Sequence, residues 1–133
     1  MVTLVISTVL LLTLGAGNAV AQTCLHGANE APAQKARRDA ALQLATRINL
    51  AQMMVFRPGP QAPRYRPLDE LMNIPATPPG FDLQFDTDGN SYSFSIKDRM
   101  DPCRYVVFSD QEKVLYEAIA RKDEPIVVPL EAR

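Results

Sequence analysis

The hydrophobic period of the chain changes three times, and each change marks a different element. Residues 1–21 carry no charge and hold a largely apolar run from Leu4 to Leu14. Between Ala33 and Phe56, Ala41, Leu44, Ile48, Ala51 and Val55 recur every three or four residues, the spacing of one helix face. Strong helix formers fill the same stretch, and Lys35, Arg38, Asp39 and Gln43 fall mostly off the stripe. Pro32 suits the first helical turn, where its missing N–H has no intrahelical acceptor to lose. Asn29 or Ala31 is then the cap, and Glu30 favours the positive helix end. Met53, Met54 and Phe56 widen the stripe, which predicts that the helix packs most deeply at its C-terminal end with the methionines filling core.

Arg57 to Gly80 is dense in proline and glycine and reads as loop. Pro58-Gly59-Pro60 stops the helix. Pro67 to Met72 predicts a short helical turn with Leu68, Leu71 and Met72 facing inward, and Pro75, Pro78 and Pro79 hold the chain extended. After Gly80 the period becomes two. Phe81, Leu83 and Phe85 alternate with Asp82 and Gln84, and Tyr92, Phe94 and Ile96 alternate with Ser91, Ser93 and Ser95. Asp88-Gly89 between two alternating runs is a hairpin signal, because glycine tolerates the positive φ of the favoured turns. A third strand is expected over Arg104–Phe108 and a fourth over Val114–Glu117, joined by the turn Ser109–Lys113. The fold class is therefore α+β, with one long N-terminal helix packed on a four-stranded antiparallel meander. Leu44, Ile48 and Val55 are expected to face Phe94 and Tyr116. Ala118–Arg133 is expected as a loose C-terminal tail, in which Ile126-Val127-Val128 either adds an edge strand or stays free.

The order of these elements resembles the globular part of type IV pilins and type II secretion pseudopilins. Ala41 to Gln52 is similar to the pilin helix stretch that precedes the loop. Tyr65-Arg66-Pro67-Leu68-Asp69-Glu70-Leu71 resembles the short Tyr-x-Pro-Leu-x-x-Leu element that follows it. Gly89-Asn90-Ser91-Tyr92-Ser93-Phe94 resembles the central Gly-Tyr-x-Phe strand. Tyr105 to Asp110 and Val114-Leu115-Tyr116 resemble the closing hairpin. The match covers about Glu30 to Glu117. Prepilins also carry a basic leader and a core helix with a Glu near its start, and residues 1–21 contain no Glu. The resemblance thus implies a pilin-like domain released from the filament role, with partners in the envelope or the secretion and pilus apparatus.

Residues 1–21 predict a secretory signal, with helix-breaking Gly15 and Gly17 and an Ala19-Val20-Ala21 end before Gln22. No Lys or Arg precedes Lys35, unlike an ordinary signal, and an uncleaved anchor using Val2–Leu14 is the alternative. Membrane contact is expected only if residues 1–21 are retained. Cleavage leaves residues 22–133 as one domain, periplasmic or extracellular. The chain has a formal net charge of −1, and its acidic and basic residues are interspersed, which argues against a nucleic-acid footprint. Its 11 prolines and lack of Trp suit a small core with rigid turns. Two cysteines remain after processing, Cys24 and Cys103, and in an oxidising compartment they most simply bond to each other. They would close a loop of about 80 residues, worth ~4 kcal/mol in chain-entropy models. Two isolated cysteines are too few for a zinc site.

Asp86, Asp88 and Asn90 place oxygen side chains at alternate positions. An EF-hand loop needs Gly sixth and Glu twelfth, where this chain has Ser91 and Lys97, so a hairpin turn is expected. Pseudopilins resembling this fold imply a second calcium region, with Asp98, Asp101 and Asp110 as candidates. Hydrolysis needs a nucleophile, base and orienting acid together. The single His, His26, is expected to be solvated in a mobile N-terminal segment, and no Gly-x-Ser-x-Gly elbow exists. No catalytic residue, metal or cofactor is therefore assigned. The expected role is an exported, non-catalytic envelope domain acting through protein contacts. The alternatives are a small-molecule or polysaccharide binding module using Tyr65, Tyr92, Phe94 or Tyr105, and an anchored pseudopilin-like subunit.

Overall fold

The helical stripe becomes α1, Pro32–Val55, in the computed structural model, which describes residues 24–27, 29–59, 64–120 and 125–129. The expected signal segment 1–21 lies outside the described residues. Ala31 is the cap, and its N–H donates to Gln34 Oε1 at 2.9 Å, so the side chain of the first turn reaches back to an otherwise unpaired donor. Ala41, Leu44, Ala45, Ile48 and Ala51 are buried, and Val55 packs at the margin of the core. The methionine expectation fails: Met53 and Met54 are 54 % and 72 % exposed. At 3.6 residues per turn each lies more than about 100° round the helix from Ile48, on the solvent side. The deepest packing is at the middle of α1, and the inner face near its end carries Asn49 and Gln52.

Five strands follow: β1 Phe81–Thr87, β2 Tyr92–Asp98, β3 Val106–Asp110, β4 Tyr116–Ala120 and β5 Pro125–Pro129. They pair antiparallel in sequence order, a simple meander. The four-strand expectation thus gains a fifth strand, and that part of the expected tail is not loose. The last two expected strands are displaced toward the C-terminus. Arg104 and Lys113 adopt positive φ (53° and 62°), and each closes a turn by donating its N–H, to Asp101 O and Asp110 O respectively. Each strand therefore starts only after its turn is complete.

Period two decides the faces. Phe81, Leu83 and Phe85 lie opposite Asp98, Ile96 and Phe94, on the side facing α1. Ile96 and Val107 pair across β2 and β3, fully buried with Leu44 and Ile48. Burial of each such side chain stabilises by about 2–3 kcal/mol. Tyr116 departs from expectation: it pairs with Phe108 on the opposite face, because β4 sends Glu117 inward instead.

The proline-rich connection is tied down at two points. The Arg64 and Tyr65 N–H groups both donate to Gly89 O, in the β1–β2 turn, where Gly89 has φ 82°. Gln52 exchanges two hydrogen bonds with the Arg66 backbone, Nε2 to its carbonyl at 2.6 Å and Oε1 from its N–H at 3.0 Å. The one-turn 3-10 helix Leu68–Glu70 sits as expected, with Leu71 buried, but Met72 is exposed. Cys24 and Cys103 form a disulfide with Cα atoms 5.1 Å apart. Among the described residues, no helix is long and apolar enough to cross a membrane.

Candidate functional site

The disulfide draws the segment Cys24–Glu30 against the sheet, and His26 goes with it. His26 is 3 % exposed, which overturns its expected solvated position. Its Nε2 lies 2.8 Å from Asp98 Oδ2 and its Nδ1 3.3 Å from Glu30 Oε2. The Leu25 N–H donates to Asp101 Oδ1, which fixes the backbone beside it. From α1, Arg37 Nη2 donates to both oxygens of Asp98 at 2.9 Å, and its guanidinium lies 5.2 Å over the Phe81 ring. Arg38 bonds Glu30 and reaches Glu117 at 3.2 Å, and the Tyr105 hydroxyl donates to the same Glu117 oxygen. Two arginines, His26 and three carboxylates thus join four parts of the fold.

Burial alone would raise the Asp98 pKa. The His26, Met100 N–H and Arg37 contacts outweigh burial and hold the carboxyl below the ordinary carboxylate range. Burial works to lower Arg38, but Glu30 and Glu117 reverse that and push it up. Tyr105 is raised by burial and by Glu117, so its hydroxyl stays protonated as a donor. The His26–Asp98 pair has the residue types of an acid–base dyad, yet both side chains are wholly buried and already bonded to each other. The arrangement fastens the N-terminal segment; it presents no reacting group to a substrate.

A second buried network crosses the core. The Tyr92 hydroxyl donates to Asn49 Oδ1 at 2.8 Å, and Asn49 Nδ2 donates to Ser109 Oγ at 2.9 Å. Burial raises Tyr92 too. The four aromatics expected for ligand binding, Tyr65, Tyr92, Phe94 and Tyr105, are all buried, at 1–7 % exposure. Tyr65 meets Tyr92 edge-on at 4.9 Å, and Tyr92 stacks with Phe94 at 6.4 Å. They are core, so none of the four presents an exposed ring to a ligand.

Three of the candidate calcium carboxylates, Asp88, Asp101 and Asp110, are spent on backbone groups, and Asp98 on His26 and Arg37. Asp88 Oδ1 accepts the Asn90 and Ser91 N–H groups at 2.8 and 2.7 Å, which holds this carboxyl below its ordinary range. Asp101 accepts from Leu25, Cys103 and Tyr105, and Asp110 from Glu112. Among the described residues, no cluster of three metal-ligating side chains forms.

Among the described residues, one accessible surface is the outer face of the sheet, away from α1. Its residues form three rows across the strands. Asp86, Ser93 and Asp110 make an acidic row at one end. Gln84, Ser95, Phe108 and Tyr116 make the middle row, and Asp82, Lys97, Val106 and Ala118 the other end. Phe108 and Tyr116 stack with centroids 5.3 Å apart. A shallow depression of about 570 Å³ lies over these strands. The face is half polar on β1 and β2 and half apolar on β3 and β4, an arrangement suited to docking a surface. Alternation reveals this face only once Phe108 and Tyr116 are known to point outward, which requires the strand register. No family model, no curated protein and no solved structure matches the chain.

Proposed function

We propose that this chain is an exported, non-catalytic domain of the bacterial cell envelope, pilin-like in arrangement, that acts through protein–protein contact. The observation that carries it is the division of the sheet into two faces. One is closed by α1; the other is open and mixes a stacked aromatic pair with serines, a lysine and carboxylates. The disulfide suits an oxidising compartment. Helix, proline-rich loop and antiparallel meander follow one another in the order on which the pilin resemblance rests. Tyr116 on the outer face is the departure from that pattern.

The test begins by expressing the full 133-residue chain in a bacterial host and sequencing the N-terminus of the exported fraction. A start at Gln22 with no reactive thiol supports release into the envelope. A photo-crosslinking residue at Phe108 should then give protein adducts in cells, and the same residue at Thr46 on the far side of α1 should not. Cytoplasmic retention with Met1 intact and free thiols would sink the proposal.

A further inference from the structure

We propose that the outer face of the sheet is a homodimer interface, on which a second copy of this chain packs face to face about a two-fold axis running across the strands along the Ser95–Phe108–Tyr116 row. The inference rests on the contact reading above and names the partner. Two sheets pack about 10 Å apart, and a two-fold axis between them lies in the plane of the interface. An axis along the strands would lay the acidic row on its own copy, with Asp86 and Asp110 meeting like charges. An axis across the strands turns that row end for end. Lys97 of one copy then lies over Ser93 of the other, between its Asp86 and Asp110.

The same operation lays the apolar half on itself, so the Phe108–Tyr116 stack of one copy meets that of the other. Residues near the axis face their own equivalents; Ser95, small and uncharged, permits that approach. Asp82 falls toward Asp86 of the other copy, and Arg99, 3.4 Å from Asp82, supplies the counter-charge. The Lys97 contacts and the apolar self-packing thus follow from one symmetry element, and the one like-charge approach it creates, Asp82 toward Asp86, is offset by Arg99. Four strands by five residues span roughly 14 Å by 17 Å, well under the roughly 800 Å² per partner of a standard interface, so the dimer is expected to be weak and transient.

Sedimentation equilibrium of the protein exported from the full chain, from about 1 μM to 1 mM, reads the association directly. Wild type should pass from monomer to dimer within this range. Ser95→Arg brings two guanidinium groups together at the axis and should weaken the dimer at least about tenfold. Lys97→Glu should do the same, and combining it with Asp86→Lys and Asp110→Lys should restore association to within about threefold of wild type. Circular dichroism confirms that each variant folds; none of these substitutions touches the core. A monomer throughout the range overturns the inference, as does a dimer indifferent to Ser95→Arg or a charge-reversed triple variant that fails to recover. If the monomer still gives Phe108 adducts with other envelope proteins, self-association is wrong while the contact role stands.

Discussion

Asp98→Asn isolates the ionic cluster, since it preserves shape and removes one charge. Asp98 lies 2.8 Å from His26 Nε2, takes both its Arg37 contacts at 2.9 Å and is fully buried as a side chain. Removing one member of a buried ionic group costs about 3–5 kcal/mol, because the remaining charges lose their partner in a poorly hydrated site. Arg37 keeps 30 % of its side-chain surface in water and can be rehydrated, so the lower end applies, about 3 kcal/mol. For a domain of this size that corresponds to a fall in Tm of about 12 °C. Differential scanning calorimetry with the disulfide intact measures it. The pH dependence supplies a second check. The carboxyl is held below its ordinary range, so its ionised form favours the fold. That contribution is complete above the unfolded carboxylate pKa and disappears as pH falls through the folded value. Asn does not titrate there, so the gap between the two proteins should close toward acid pH. A fall of less than about 3 °C at pH 7, or a gap unchanged at about pH 2, would refute the cluster as the fastening of residues 24–30.

Two further substitutions test other parts of the fold. Cys24→Ser with Cys103→Ser should lower stability to urea by about 4 kcal/mol, the value for freeing a loop of about 80 residues in the unfolded chain; both proteins are compared without reductant. Gly80 has φ +82°, and a Cβ there would come within 3.0 Å of Arg37 Nη2 and Met100 Sδ. Gly80→Ala should therefore cost about 1–2 kcal/mol in thermal unfolding, and less when Arg37→Ala has already removed the obstructing side chain.

Much of the architecture was legible because it is local. Leu44, Ile48 and Ala51 announce a helix face by spacing alone, and Phe81 to Phe85 with Tyr92 to Ile96 announce two strands around Asp88-Gly89. The failures concern where such a pattern ends or what it meets. Met53 and Met54 are apolar by type but lie on the wrong side of α1. Gln52 could have been placed inside from its position one turn after Ile48, a signal that hydrophobicity counting ignores. Tyr116 shows how a turn decides a face: with the strand beginning after the positive φ of Lys113, Glu117 takes the inner side to meet Arg38 and Tyr105. β5 is a short run that starts and ends in proline, each without an N–H to pair. The candidate face on β3 and β4 was hidden for the same reason as Tyr116. His26 is the clearest case. Its partner Asp98 is 72 positions away, and nothing in its neighbours reveals that a disulfide will carry it inward.

The bridge between Cys24 and Cys103 has one more consequence. It encloses α1, β1, β2 and the whole proline-rich connection in a single covalent ring. A protease that nicks the chain once inside that ring produces two new ends but no separated fragments. The helix stays tethered to the strands it covers, and repeated reclosure competes with degradation. Under the proposed export, survival after a first proteolytic cut is then governed by the sulfur link more than by the backbone.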